Sequence, residues 1–290
     1  MAGTTKKTLE KEVLKKTTIV EKTPDGTIEL KISISWDVVK KQWDAVVSEM
    51  VKNANLPGFR KGKAPKSVVE KQLDPAKIKE ETLRKILPQA YIDSLKEHDL
   101  KPIVNPRIHL EGELIDGKPW EFHAVTCELP EIELNGYKDH VKKVTAKSKI
   151  IVPGKEDAKP NFDEIVKAVL DSTKATIPQI LIEGEADKLL SQTLDEIKKL
   201  GMTLDQYLSS TGKKPEDLRA EYAAKAQTDL KLEFVLQKIA ETEKITVDNS
   251  EIEKTIENAK PEERSGLTAN KYLLASIIRQ QKTLDFLRLL

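Results

Sequence analysis

Apolar residues recur with a period of two only within the first 128 residues and with a helical period after residue 162, and this change of period constrains the fold most. Ile28, Leu30, Ile32 and Ile34 alternate with Glu29, Lys31 and Ser33, as in a half-buried strand. Pro24-Asp25-Gly26 before them is a turn, because Pro presets φ and Gly tolerates positive φ, so residues 19–35 read as a hairpin. Ser35 is placed to cap a helix with the apolar stripe Trp36, Val39, Trp43, Val46, Val47 and Met50, and core packing explains its two tryptophans. Periodicity stops from Asn53 to Pro65 and returns over Pro65–Leu73. It returns again after Asp74-Pro75, a cap with Pro in the first turn of a helix reaching His98 that Pro88 can kink. Two further strands follow, Arg107–Glu113 and Trp120–Glu128, about the turn Ile115–Lys118. Strands, helices, then strands predict an α+β domain with an antiparallel sheet and helices on one face.

Downstream, Lys142–Asn161 is Lys-rich and weakly patterned, with Pro153-Gly154 and Lys159-Pro160, and reads as a linker. Beyond it the pattern is helical: Phe162–Thr173, Pro178–Leu200, Thr203–Ser210, Pro215–Lys244, Asp248–Asn258 and Thr268–Leu290. Pro178, Thr203, Pro215, Asp248 and Thr268 supply starts, and Gly201 and Gly212 supply stops. The expected organisation is therefore a flexible leader (1–16), an α+β domain (17–141), a linker (142–161) and an all-α helical domain (162–290).

Composition narrows the function. Charged residues are 33% of the chain and aromatics 4%, which suits long solvated helices. Residues 1–150 carry a net +5 and the remainder a net −4, so the two parts are fitted to different partners. The lone Cys127 rules out a disulfide framework within the chain and lies in an alternating strand, as a small core residue does. His98, His109, His123 and His140 fall in no metal-ligand spacing. No nucleophile elbow or phosphate-cradling Gly loop is present, so no catalytic residue, metal or cofactor is expected. No apolar run is long enough to span a membrane, and Met1–Lys16 lacks the apolar stretch of a signal peptide, so a cytoplasmic protein is expected.

One loop stands apart. No acidic residue lies between Glu49 and Glu70, whereas Lys52, Arg60, Lys61, Lys63 and Lys66 are all basic. Pro57-Gly58, Gly62 and Pro65 shape the loop, and Phe59 sits at its tip; basic side chains beside an exposed aromatic suit a phosphate-rich surface with a protein pocket alongside.

Gly58-Phe59-Arg60-Lys61-Gly62-Lys63-Ala64-Pro65 resembles the ribosome-docking signature of the bacterial trigger factor family, chaperones of nascent chains at the exit tunnel. The phrase Cys127–Leu134 is similar to the way that family leaves its ribosome-binding domain. Ile177-Pro178, Gly201–Leu208 and Lys214–Glu221 resemble its helical, SurA-like substrate-binding domain. The likeness covers roughly residues 17–140 and 162–290. It implies an ATP-independent chaperone that docks through Gly58, Phe59, Arg60, Lys61, Gly62, Lys63 and Pro65 on large-subunit protein and ribosomal RNA. It also implies that the helical domain shields nascent or unfolded polypeptides, and that the chain forms a homodimer off the ribosome. Typical members carry an FKBP-type prolyl isomerase domain between the two parts; here Lys142–Asn161 stands in its place, so no enzymatic activity is expected. Two other readings stay open: a ribosome-independent holdase similar to SurA-like chaperones, and an RNA-binding module with a helical dimerisation domain.

Overall fold

The computed structural model describes residues 16–54, 73–148 and 162–290, and the chain divides into two compact units at Glu128/Leu129. The first unit is built on a four-stranded antiparallel sheet of order β1-β2-β4-β3, comprising β1 (Lys16–Lys22), β2 (Thr27–Ile34), β3 (Arg107–Leu110) and β4 (Trp120–Cys127). The expected alternation sets its register: Ile28, Leu30, Ile32 and Ile34 share a face, with Leu30 opposite Ala124 and Ile32 opposite Phe122. That face packs on α1 (Trp36–Asn53) and α2 (Pro75–Glu97) through Val39, Ile86, Ala90 and Tyr91. The tryptophans belong to this core, Trp36 and Trp43 half-buried and Trp36 tilted against Trp120 at 6.4 Å between ring centres. Gly26, at φ 88°, turns the β1–β2 hairpin, and Gly117, at φ 87°, turns the segment before β4. β3 is shorter than expected because Gly112, at φ 77°, ends the pairing just after Glu111 donates to the Glu121 carbonyl.

Helix starts match the chemistry only in part. The Asp74 carboxylate accepts from the Ala76 amide at 2.9 Å, and Pro75 opens α2, which runs on through Pro88. Ser35 occupies the N-cap position of α1 but its hydroxyl makes no capping bond; it is buried with no hydrogen-bond partner among the described residues. An N-cap serine ordinarily contributes about 1 kcal/mol, whereas removing an orphaned buried hydroxyl is neutral or stabilising. Ser35→Ala is therefore expected to leave the urea midpoint unchanged or raise it; a loss of about 1 kcal/mol would show that the hydroxyl caps the helix in solution.

Lys16, expected at the edge of a flexible leader, begins β1. Its ammonium reaches the Ala90 carbonyl at 3.2 Å and Glu97 at 3.5 Å, and burial holds it below the usual lysine range. Residues 1–15 lie outside the described residues.

The second unit begins well before the expected boundary. Residues 129–141, expected in the α+β domain, pack with the helices instead, and residues 142–148, expected in a linker, are helical. β5 (Ile132–Leu134) pairs antiparallel with β6 (Thr173–Ala175), so this unit is helical with a two-stranded sheet rather than all-α. α3 (Tyr137–Ser148) and α4 (Phe162–Ser172) pack on each other and on the end of α7 (Pro215–Thr242). Tyr137, Val141, Ile165, Val169, Val235, Ile239 and Leu287 form that core. The Lys-rich composition conceals α3 because its apolar face, Tyr137, Val141 and Val144, is narrow.

A second cluster joins α5 (Gln179–Lys199) to the first half of α7 through Ile182, Ala186 and Ala226, with the Thr193 and Tyr222 hydroxyls 2.6 Å apart. Gly201 and Gly212, at φ 74° and 66°, stop α5 and α6 (Leu204–Thr211) as expected; Thr203 forms a capping box with Gln206, and at Asp248 the amide donates to the Glu251 carboxylate at 2.9 Å. The last expected helix begins at Lys271 rather than Thr268, which falls inside a helix the pattern did not indicate. Between α8 (Asn249–Asn258) and α10 (Lys271–Leu289) runs α9 (Pro261–Ala269), opened by Pro261 and interrupted at Asn270, whose side-chain amide donates to the Gly266 carbonyl at 3.0 Å.

Candidate functional site

The basic loop singled out by the sequence, with Gly58, Phe59, Arg60, Lys61, Gly62, Lys63 and Pro65, lies outside the described residues, as does the expected helix over 65–72. What the structure shows is how the loop is held. α1 ends at Asn53 and α2 begins at Pro75, and one apolar cluster joins the two ends: Val46, Val47, Met50 and Val51 from α1, Leu73 just before α2, and Ile78 within it. An ion pair between Glu49 and Lys85 crosses the same two helices and holds the Glu49 carboxyl below its usual range. The 18 intervening residues, 55–72, thus leave and re-enter a fixed pair of helices. Lys52, the first basic residue of the run, is exposed in the last turn of α1.

Chemistry elsewhere is sparse. Cys127 is fully buried and its thiol is pushed up to about 11 by burial, so it carries no thiolate at neutral pH. Among the described residues no group of three His, Cys, Asp or Glu side chains is placed to hold a metal ion. His109 and His123 are cross-strand partners on the sheet, and the His123 Nε2 lies 2.6 Å from Glu111. Tyr137 donates to Glu243 at 2.9 Å; burial and then that carboxylate hold the phenol well above its usual range. Lys138 reaches the same carboxylate at 2.7 Å and lies over the Phe286 ring at 5.8 Å, so these groups fasten α3 to α7 and α10 rather than forming a reactive centre.

The second unit exposes large apolar side chains that periodicity could not separate from core. Leu200 is 77% exposed at the α5–α6 corner, and on α10 Tyr272 is 91%, Leu273 60% and Ile277 53% exposed. Beside Tyr272 a groove of about 420 Å³ opens between α7 and α10, floored by Leu236 and Ala240 and bordered by Ile245, Ser276 and Arg279. Arg279 helps shape it, its Nε donating to the Ile245 carbonyl at 3.0 Å. Apolar side chains at open helix surfaces and beside a wide groove are the kind of surface through which proteins bind apolar partners.

The family model described as "Bacterial trigger factor protein (TF)" matches residues 16–165, and that of the "Bacterial trigger factor protein (TF) C-terminus" matches 155–288. The chain belongs to the bacterial trigger factor family. The two matched segments overlap, so no residues remain between them for a further domain. The chain is 31% identical to the trigger factor of Natranaerobius thermophilus over 118 residues, which is 41% of this chain and 26% of that one. It is 28% identical to that of Lactococcus lactis subsp. lactis over 166 residues, 57% of this chain and 36% of that one. The matched regions thus span about a quarter to a third of the length of these relatives. A solved structure described under "Promiscuous Substrate Recognition in Folding and Assembly Activities of the Trigger Factor Chaperone" superposes with a TM-score of 0.62. It is 15% identical, covering 93% of this chain and 99% of that one, so it shares the fold.

Proposed function

We propose that the chain is an ATP-independent chaperone that docks on the ribosome through the 58–65 loop and shields unfolded polypeptide with its helical unit. The observation that carries this reading is the set of exposed apolar side chains on the helical unit of a trigger factor family member, Leu200, Tyr272, Leu273 and Ile277 foremost. A client held by many weak apolar contacts can leave without nucleotide energy, and shielding exposed apolar segments opposes aggregation. In docking, Arg60, Lys61 and Lys63 meet phosphate or acidic groups and Phe59 seats in a protein pocket at the tunnel exit. The overlapping family segments support a chain without the prolyl isomerase module, hence a binding protein rather than an enzyme.

The test is suppression of aggregation of an unfolding client by the whole chain without nucleotide. Leu273→Ser with Ile277→Ser, both on the exposed surface of α10, should weaken suppression several-fold while the thermal transition stays in place. A chain that suppresses nothing, or does so only with ATP, would refute the reading.

A further inference from the structure

Asn135-Gly136 is the chain's one Asn-Gly pair; every other asparagine is followed by Ala, Leu, Pro, Phe, Ser or Lys. The pair forms the turn between β5 and α3, and both residues are exposed. Three observations bear on its chemistry. First, the Asn135 side chain makes no hydrogen bond among the described residues, so nothing there holds its carboxamide away from the main chain. Second, the space beside Gly136 is open. It stands at φ 64°, and a Cβ added there would meet nothing within 4 Å. Among the described residues its amide is held by one hydrogen bond, to the Leu134 carbonyl at 2.9 Å, which closes a three-residue turn. Third, the turn has no slack on either side. Leu134 is paired with Thr173, and Tyr137, 4% exposed, donates to Glu243 at 2.9 Å.

We propose that Asn135 is a self-modification site, at which the Gly136 amide nitrogen attacks the carbon of the Asn135 carboxamide. The new nitrogen–carbon bond closes a five-membered succinimide, the bond to the side-chain nitrogen breaks, and ammonia leaves with the amide proton. The attack is intramolecular, and no Cβ on Gly136 obstructs it. Solvent water then opens the ring at one of its two carbonyls. Opening at the former side-chain carbonyl leaves an aspartate. Opening at the main-chain carbonyl leaves an isoaspartyl linkage, which routes the main chain through the former side chain and lengthens it by one carbon. The two products act differently on the fold. Aspartate adds a negative charge just before α3, where the helix amides favour an anion. The isoaspartyl product adds a carbon between a paired strand end and a buried tyrosine, and displaces one of them. α3 then loosens from α7 and α10, and the helical unit weakens as the chain ages. This inference does not depend on the chaperone reading.

The experiment incubates the full-length chain at neutral and at mildly alkaline pH. Mass spectrometry follows ammonia loss at each asparagine, isoaspartyl methyltransferase labels the lengthened linkage, and circular dichroism follows melting. Asn135 should convert at least about tenfold faster than Asn249, Asn258 or Asn270. Conversion should be faster at alkaline pH, because the deprotonated amide is the attacking form. The aged, isoaspartyl-bearing chain should melt below the fresh one. Asn135→Gln, whose ring closure needs six members, should neither convert nor lose melting temperature on the same incubation. Fresh Asn135→Asp should melt with the fresh wild type, which separates the charge from the added carbon. Conversion of Asn135 no faster than that of the other asparagines would overturn the site. An aged chain rich in isoaspartate that melts unchanged would overturn its effect on α3, and an equal melting loss in aged Asn135→Gln would do the same by placing the damage elsewhere.

Discussion

Alanine at Phe59, Arg60 and Lys61 together is expected to abolish co-sedimentation of the chain with ribosomes while its thermal transition stays in place. The expectation follows from where the loop begins and ends. Val46, Val47 and Ile78 close the base of the loop from α1 and α2, and the sheet core is filled by Ile28, Leu30, Trp120 and Phe122. Among the described residues the apolar contacts of this unit lie on the helices and strands that flank the loop. In the docking proposed above, by contrast, binding would concentrate in few side chains: one apolar anchor and two cations set against phosphates. Truncating a central interface residue costs about 1–3 kcal/mol, so three together lower affinity by several powers of ten. Wild-type binding should also fall steeply as salt rises, because part of it is charge neutralisation. Undiminished co-sedimentation of the triple variant would move the docking surface elsewhere, and loss of its thermal transition would make Phe59 a core residue.

The features legible in the sequence were those whose signal is local and repeated. β2 and β4 declare themselves through alternation over most of their eight residues, Ile28 to Ile34 and Trp120 to Val125, which leaves one register that buries Ile32 beside Phe122. Thr203, Asp248, Gly201 and Gly212 mark helix ends through bonds or backbone angles made within a few residues. What stayed hidden depends on distant partners. β5 and β6 are three residues each, too short to show a period, and Ile132 meets Ala175 only because α3 and α4 fold back between them. α3 carries its core face at Tyr137, Val141 and Val144, but the lysines around them made the stretch look like linker. The basic loop around Phe59 was conspicuous because its residues serve no period. The exposed apolar side chains were not, since Leu273 and Ile277 fall in the same helix as the buried Leu274 and Leu287, and only packing separates them.

The hidden segment leads to the second large effect. A fragment of residues 162–290, cut where the sequence places the helical domain, is expected to lack a cooperative melting transition, whereas residues 129–290 should melt as one unit. The shorter fragment loses Tyr137 and Val141, 4% and 0% exposed, together with the half-buried Ile132, Leu134 and Val144. It also strips cover from Val235, Ile239 and Leu287 and leaves β6 without its strand partner. Each fully buried side chain of this size contributes about 1.5–3 kcal/mol, and the half-buried ones add part of that. The loss is then on the order of 5 kcal/mol or more, comparable with the whole stability of a typical domain, about 5–15 kcal/mol. The Glu243 carboxylate would lose both Tyr137 and Lys138, and the Phe286 ring the ammonium above it. Circular dichroism melts of the two fragments decide the matter: a sharp transition for 162–290 at the temperature found for 129–290 would mean that β5 and α3 only lean on a core complete without them. A broad, featureless melt that sharpens when residues 129–161 are restored makes this segment a working part of the helical unit, so any fragment meant to carry client binding has to begin at Leu129.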